Sequence, residues 1–342
     1  MKLGLTTAGF GAHIKIDIGL IKEAESLGYD SVWTAEAWGN DAITPLAWIA
    51  AQTDRIKLGT GIMQMSARTP AMCAMQAATV DELSGGRMIV GIGPSGPQVI
   101  EGWHGEPYGK PLTRTREYIS IMRKIFARAE PLVHDGECYQ IPYTGEGSCG
   151  LGKALKLILH PRNDIPIVTA TISPKGVQCA AECADGFMPI WTSPEGLSVF
   201  DEAIASGFAK STDQARKDRF AITPMINVKI GDDLQACRDR MKPSIALYVG
   251  GMGARNKNFY NQLVRRMGWE DAAQQIQDLY LDGKKKAATA AVPDDLVDAI
   301  TLVGSKERIA ERIDEWKSSS ASSLILSGVR LDELHTMAEL CF

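Results

Sequence analysis

Strand-length apolar runs and helical stripes alternate along the chain. Lys2–Thr6, Asp30–Ala35, Lys57–Met63 and Arg87–Gly93 are short, mainly apolar runs. Between them, Ile16–Leu27 places Ile16, Leu20, Ala24 and Leu27 on one stripe and stops at Gly28, the pattern of an amphipathic helix with a glycine end. Thr44–Gln52 predicts a second helix, with Thr44 as cap and Pro45 in the first turn. Ala71–Leu83 and Leu112–Ala129 predict a third and a fourth. Four strand–helix units in about 130 residues predict a parallel sheet, because parallel neighbours need a crossover between them.

Residues 131–166 break the rhythm with Gly and Pro and read as an insertion, with a short strand at Ala154–Leu159. The alternation then resumes. Ile165–Thr171, Gly186–Pro189, Arg219–Ile230 and Ser323–Leu326 are strands, and Lys175–Ala184, Pro194–Ser206 and Leu331–Leu340 are helices. Leu234–Val303 is helical, with no strong strand. Eight strands, each followed by helix, predict a TIM barrel formed by one domain over residues 1–342, with insertions near 130–165 and 234–303. An open, doubly wound sheet is the alternative. The "GIGPSG" segment at Gly91–Gly96 matches a dinucleotide fingerprint poorly, since no helix starts at once and no acidic residue ends a following strand.

Composition narrows the function classes. Thirty-seven Lys and Arg against 41 Asp and Glu give a net charge of −4, which does not point to nucleic acid or a membrane surface. No apolar run approaches the roughly 20 residues of a membrane span. The N-terminal MKLGLTTAGF lacks the pattern of a secretory signal. Seven scattered cysteines imply no disulfide framework, so the chain reads as cytoplasmic and reduced. Cys179 and Cys183 lie four apart without a second Cys or His pair, which reads as core packing rather than a metal site.

Candidate chemistry gathers where the strands end. In Ala170–Gly176, "ATISPKG", a strand meets a helix that Ser173 caps and Pro174 begins; free N–H groups there and the Lys175 charge suit an anion. Glu36, in "TAEAW" after the second strand, is a mouth carboxylate fit for a proton relay or for holding a polar ring substituent. Capping the next helix or pairing with an arginine is its structural alternative. His13 follows the first strand, and Trp38 and Trp191 follow later ones; all three are candidates to line a substrate pocket.

The stretches "AESLGYDSVWTAEAW", "RIKLGTGIMQMSARTPAMCAMQAATVDELSGGRMIVGIGPSGPQVIEGW", "KPLTRTREYISIMRKIF", "IPIVTATISPKGVQCAAECADGFMP" and "LVGSKERIAERIDEW" carry a resemblance. The chain resembles the luciferase-like monooxygenase superfamily and, within it, the coenzyme F420-dependent oxidoreductases such as methylenetetrahydromethanopterin reductase. The resemblance implies a TIM barrel, a homodimer packed through its second and third helices, and a flavin or deazaflavin at the barrel mouth. It implies a seat for the cofactor ring at Thr60, Gly61 and Ile62, with a cis peptide at Gly61–Ile62. Gly93, Ser95, Gly96 and Gln98 are implied to meet the cofactor side chain. Ala170, Thr171, Ser173 and Lys175 are implied to hold its phosphate, with Ala170 where the reductases usually have Gly.

Glycines at the strand ends, Gly59, Gly61, Gly93 and Gly96, then read as clearance for a flat ring. Sugar-phosphate and alcohol dehydrogenase branches place Asp-His where this chain has Glu36–Ala37, and no acid falls between Gly93 and Ile100, so their acid–base chemistry does not transfer. Arg255, Lys257 and Lys284–Lys286 are either a solvated cluster or contacts for an acidic cofactor tail. The leading expectation is hydride transfer between reduced F420 and a small organic substrate, without a metal. The alternatives are a reduced-FMN monooxygenase and a non-catalytic flavin-binding barrel.

Overall fold

A computed structural model describes residues 1–7, 11–253 and 255–342. Eight parallel strands form its centre: β1 (Lys2–Thr7), β2 (Ser31–Thr34), β3 (Lys57–Thr60), β4 (Met88–Gly93), β5 (Ile167–Ala170), β6 (Gly186–Met188), β7 (Ala221–Ile222 and Met225–Ile230) and β8 (Ser323–Ser327). β8 pairs with β1, and β7 pairs with β6 through its first part and β8 through its second. The Met225 N–H donates to Pro189 O at 2.9 Å and the Ile325 N–H to Pro224 O at 2.8 Å, which closes the barrel. Pro224 sits at the break in β7, where it has no N–H to offer the ladder.

Eight helices occupy the crossovers: α1 (Ile18–Leu27), α2 (Ile43–Ala50), α3 (Pro70–Leu83), α4 (Pro111–Ala127), α5 (Pro174–Cys183), α6 (Asp201–Phe208), α7 (Lys306–Ser318) and α8 (Leu331–Cys341). α1 ends at Gly28 with φ +94°, a left-handed turn that glycine adopts without steric cost. α2 starts differently from the expectation. Asp41, not Thr44, caps it, accepting from the N–H groups of Ile43 and Thr44 at 2.9 and 2.7 Å. An Asp two residues before the helix reaches both N–H groups, whereas Thr44 is already inside it.

Strand alternation sorts side chains into two cores. Leu3, Leu5, Val32, Leu58 and Val90 point outward and pack under helical residues such as Ile21, Leu46, Ala74 and Tyr118. Trp33, Val168, Met188 and Ile325 point inward, with Ile62, Ile89, Ala170 and Met225 against them. Each fully buried aliphatic side chain contributes roughly 1.5–3 kcal/mol, so the outer layer dominates stability while the inner one shapes the floor of the mouth.

Both insertions depart in detail from the sequence reading. Ala154–Leu159 is not a strand; the first insertion instead carries a small antiparallel pair, His134–Asp135 with Gln140–Ile141. The apolar run Leu155–Leu159 has no paired strand beside it. The second insertion is helical as expected, but ends in a strand, Thr301–Gly304, that pairs with Asn227–Ile230 of β7. Those four residues follow the helix Asp294–Ile300 without a turn between, so periodicity alone does not separate them.

Candidate functional site

The mouth is built around an irregular stretch after β3. The Gly61–Ile62 peptide is cis. The Gly61 N–H donates to Thr34 O at 2.6 Å, and Met63–Gln64 then resumes parallel pairing with Ile92–Gly93. Ile62 turns into the inner core while Met63 and Met65 turn to the outer one. A Cβ placed on Gly93 would lie 3.1 Å from Ile62 Cδ1 and 3.8 Å from the Ala170 Cβ. Ile62, Gly93 and Ala170 thus lie side by side at the ends of β3, β4 and β5.

Gly59 has a different reason from the one the sequence suggested, and Gly91 has one of its own. A Cβ on Gly59 would fall inside the Trp33 indole, which lies across the barrel and donates from Nε1 to Ser31 Oγ at 2.9 Å. Gly59 therefore clears a protein side chain, not a ligand. Gly91, which the sequence did not single out, lies against the Thr60 carbonyl, and a Cβ there would overlap backbone. Thr60 is committed to the same contact: its Oγ1 donates to Gly91 O and accepts from Gly91 N, both at 2.8 Å.

Glu36 is 9% exposed, and both its oxygens are taken. Arg68 grips it with two hydrogen bonds of 2.6 and 2.8 Å, while the N–H groups of Gln64 and Ala42 donate at 2.6 and 3.1 Å. Burial opposes the Arg68 charge, but the Glu36 carboxylate outweighs it and raises the guanidinium pKa. A carboxylate holding four donors anchors β2 to the segment after β3. Of the readings the sequence left open for Glu36, pairing with an arginine is the one this geometry matches.

Beside that anchor runs a network of residues that sequence reasoning missed. Gln64 is buried and points, like Ile62 two residues earlier, toward the barrel axis. Its amide donates to Ser95 Oγ at 3.1 Å and its Oε1 lies 2.7 Å from His104 Nε2. Assigned from this network, the neutral imidazole carries its proton on Nε2. Its Nδ1 has no partner among the described residues. Tyr108 donates to Ser95 O at 3.2 Å, and Arg114 ties Ser66 to the Tyr108 carbonyl at 2.7 and 3.0 Å. Ser95 holds φ at +58°, an unusual backbone for a serine. Gly96 and Gln98 continue the same loop, where a Cβ on Gly96 would lie 3.1 Å from Gln98 Oε1.

Across the mouth, Ser173 caps α5 by accepting from the Gly176 N–H at 3.1 Å, with Pro174 next. Thr171 Oγ1 rests where a Gly176 side chain would go, so the helix start is held close to the β5 end. Lys175 is exposed and, among the described residues, makes no ion pair. Arg266, from the second insertion, donates to Ile172 O at 2.9 Å. Burial lowers its pKa, and it pairs with no carboxylate among the described residues. Arg266 is exposed, and its guanidinium reaches the loop that leads into the α5 N-terminus. No local sequence signal ties Arg266 to "ATISPKG", some 90 residues earlier.

The remaining expectations separate. Trp191 is 3% exposed and packs on Tyr248 and Tyr260 with ring centroids 5.1 and 5.8 Å away. It joins the barrel to the insertion and is not open to a pocket. His13 and Trp38 are exposed loop residues; Ala8–Phe10, between β1 and His13, lie outside the described residues. Arg255 pairs with Asp278, and Lys285 lies over the Tyr280 ring at 5.7 Å, so part of the basic group is engaged at the surface. Among the described residues, no group of three or more His, Cys, Asp or Glu is arranged to hold a metal ion. None of the described helices is long and apolar enough to cross a membrane.

The chain compares closely with known proteins. The luciferase-like monooxygenase family pattern matches residues 5–323. A Mycobacterium tuberculosis protein, provisionally named a coenzyme F420-dependent oxidoreductase, is 44% identical over 342 residues, 99% of each chain. The 5,10-methylenetetrahydromethanopterin reductase of Archaeoglobus fulgidus is 27% identical over 311 residues, 89% of this chain and 87% of that one. The solved coenzyme F420-dependent tetrahydromethanopterin reductase of Methanopyrus kandleri superposes with a TM-score of 0.77 at 22% identity, covering 99% of this chain and 96% of that one. With its closed barrel and the same order of strand-end segments, this chain belongs to the luciferase-like monooxygenase family.

Proposed function

We propose that the protein is an oxidoreductase that uses coenzyme F420 at the barrel mouth to exchange hydride with a small organic substrate. The observation that carries this is the pairing of small, closely set residues at Ile62, Gly93 and Ala170 with the Ser173-capped start of α5. A flat ring and a phosphate on one molecule fit that pair, and the full-length relative named for F420 favours the deazaflavin over FMN. Thr60, Gly61 and Ile62 would back the ring, Ser95, Gly96 and Gln98 would meet its side chain, and Thr171, Ser173, Lys175 and Arg266 would hold the phosphate. When bound, F420 supplies or accepts the hydride.

The chain's own residues orient the reactants and manage the proton. Reducing a C=O, C=N or activated C=C bond leaves an anion that a positioned acid must quench. Glu36 is committed to Arg68, position 37 is Ala, and residues 93–100 hold no acid. His104 is an imidazole held at this mouth through Gln64; with its Nε2–H on Gln64 Oε1, it is a second proton, carried on Nδ1, that it would pass to the substrate anion. Fluorescence titration tests the reading: F420 should bind at micromolar concentration and more tightly than FMN. Tighter FMN binding with oxygen consumption would favour the monooxygenase reading instead. Ser173→Leu should weaken F420 by about 1–3 kcal/mol, the range of a lost bond to a charged group, with stability falling only by the loss of a helix cap, about 1 kcal/mol. Unchanged affinity would remove the phosphate from this loop.

A homodimer is part of the same proposal. Trp48 on α2 and Met72 and Met75 on α3 are 58%, 47% and 48% exposed, an apolar patch on two adjacent helices. Self-association around a two-fold axis would cover it twice over. Trp48→Glu combined with Met75→Glu should yield monomers by light scattering at micromolar concentration. A wild-type protein that is itself monomeric there would end the idea.

A further inference from the structure

α5 has chemistry at both ends, and the mouth uses only one. Near its C-terminus, Cys179 and Cys183 stand one turn apart with their Sγ atoms 4.0 Å from each other. Cys179 is 2% exposed, with its Sγ 3.8 Å from Leu112 O. Cys183 is half-buried, donates to Cys179 O at 3.0 Å, and lines a cavity of about 910 Å³ at the N-terminal end of the barrel, away from the mouth. Arg116 of α4, paired with Glu182 at 2.8 Å, lines the same cavity. The Cys183 hydrogen bond, and then the Arg116 charge, lower the Cys179 thiol pKa, while the bond to Cys179 and burial raise that of Cys183.

The spacing separates two fates for such a dithiol. A disulfide needs its sulfurs about 2.05 Å apart and its Cβ atoms about 3.8 Å apart. Helical neighbours at this spacing hold Cβ atoms about 5–6 Å apart, so oxidation would have to unwind the end of α5. A single soft atom bound at a metal–sulfur distance of about 2.3 Å needs the sulfurs only slightly closer than their present 4.0 Å, a small side-chain rotation that leaves the helix intact. We propose that Cys179 and Cys183 form a two-thiolate site for a soft thiophilic centre of the trivalent arsenic class, with its remaining substituent directed into the N-terminal cavity. Capture is balanced without redox change. An arsenic oxide R–As=O and two thiols form two As–S bonds, both thiol protons leave on the oxide oxygen, and water is released. Soft thiolates favour such a centre over hard ligands.

Phenylarsine oxide tests this on the reduced full-length protein. Native mass spectrometry should show one adduct per chain that survives excess 2-mercaptoethanol, because both bonds must open together for it to leave, and that a dithiol removes. Cys179→Ser and Cys183→Ser should each lose retention at least tenfold, whereas Cys149→Ser, at an exposed lone thiol, should not. Should a serine variant unfold, thiol counting on the wild-type protein decides, with two thiols lost per arsenical bound. No retained adduct, retention in both serine variants, or one thiol lost per adduct would overturn the site.

Discussion

Arg68→Met should destabilise the protein by about 3–5 kcal/mol, the cost of stripping the partner from a buried ion pair. Glu36 would keep its two backbone donors but lose both guanidinium bonds, with only 9% of the residue exposed to water. At about 2–4 °C per kcal/mol for a large domain, calorimetry should record a fall in melting temperature on the order of ten degrees. The double variant Glu36→Gln with Arg68→Met removes both charges and should recover much of that loss. A single variant that melts within two degrees of wild type, on the same scale of about 2–4 °C per kcal/mol, would show that the pair is not a structural anchor. The effect should also reach the mouth, because Glu36 holds the Gln64 backbone and Gln64 holds His104.

His104→Asn should slow hydride transfer by about 10²–10⁴-fold, the usual contribution of a positioned acid or base, while leaving F420 affinity within a few-fold of wild type. Asn keeps a donor for Gln64 Oε1 but cannot deliver a proton. The charged and titratable groups around His104 are Glu36 and Arg68 behind Gln64, Arg114 from α4, and Tyr108, Glu101 and Glu106 of its own loop. Single-turnover oxidation of reduced F420 by an accepted substrate reads the step directly. An unchanged rate would move the proton elsewhere, and a loss of F420 affinity equal to the loss of rate would make His104 part of the cofactor seat instead.

Much of this protein is legible in its chain order. Eight apolar runs, each followed by a helical stripe, predict a parallel sheet covered by helices and favour the barrel over an open, doubly wound sheet. Gly28, Ser173 and Pro174 mark helix ends through local chemistry, and the structure has them in those places. Tertiary structure decided what depends on residues far apart in sequence. The partner of Glu36 is Arg68, 32 positions on; Gln64 meets His104 forty positions on; Arg266 reaches Ile172 across 94. Gly59 reads as room for a ligand until Trp33 is found lying against it. Local propensity is written in neighbouring residues and survives in one dimension. Whether a charge is free, paired or buried is set by which strands lie side by side, and that is known only once the barrel has closed.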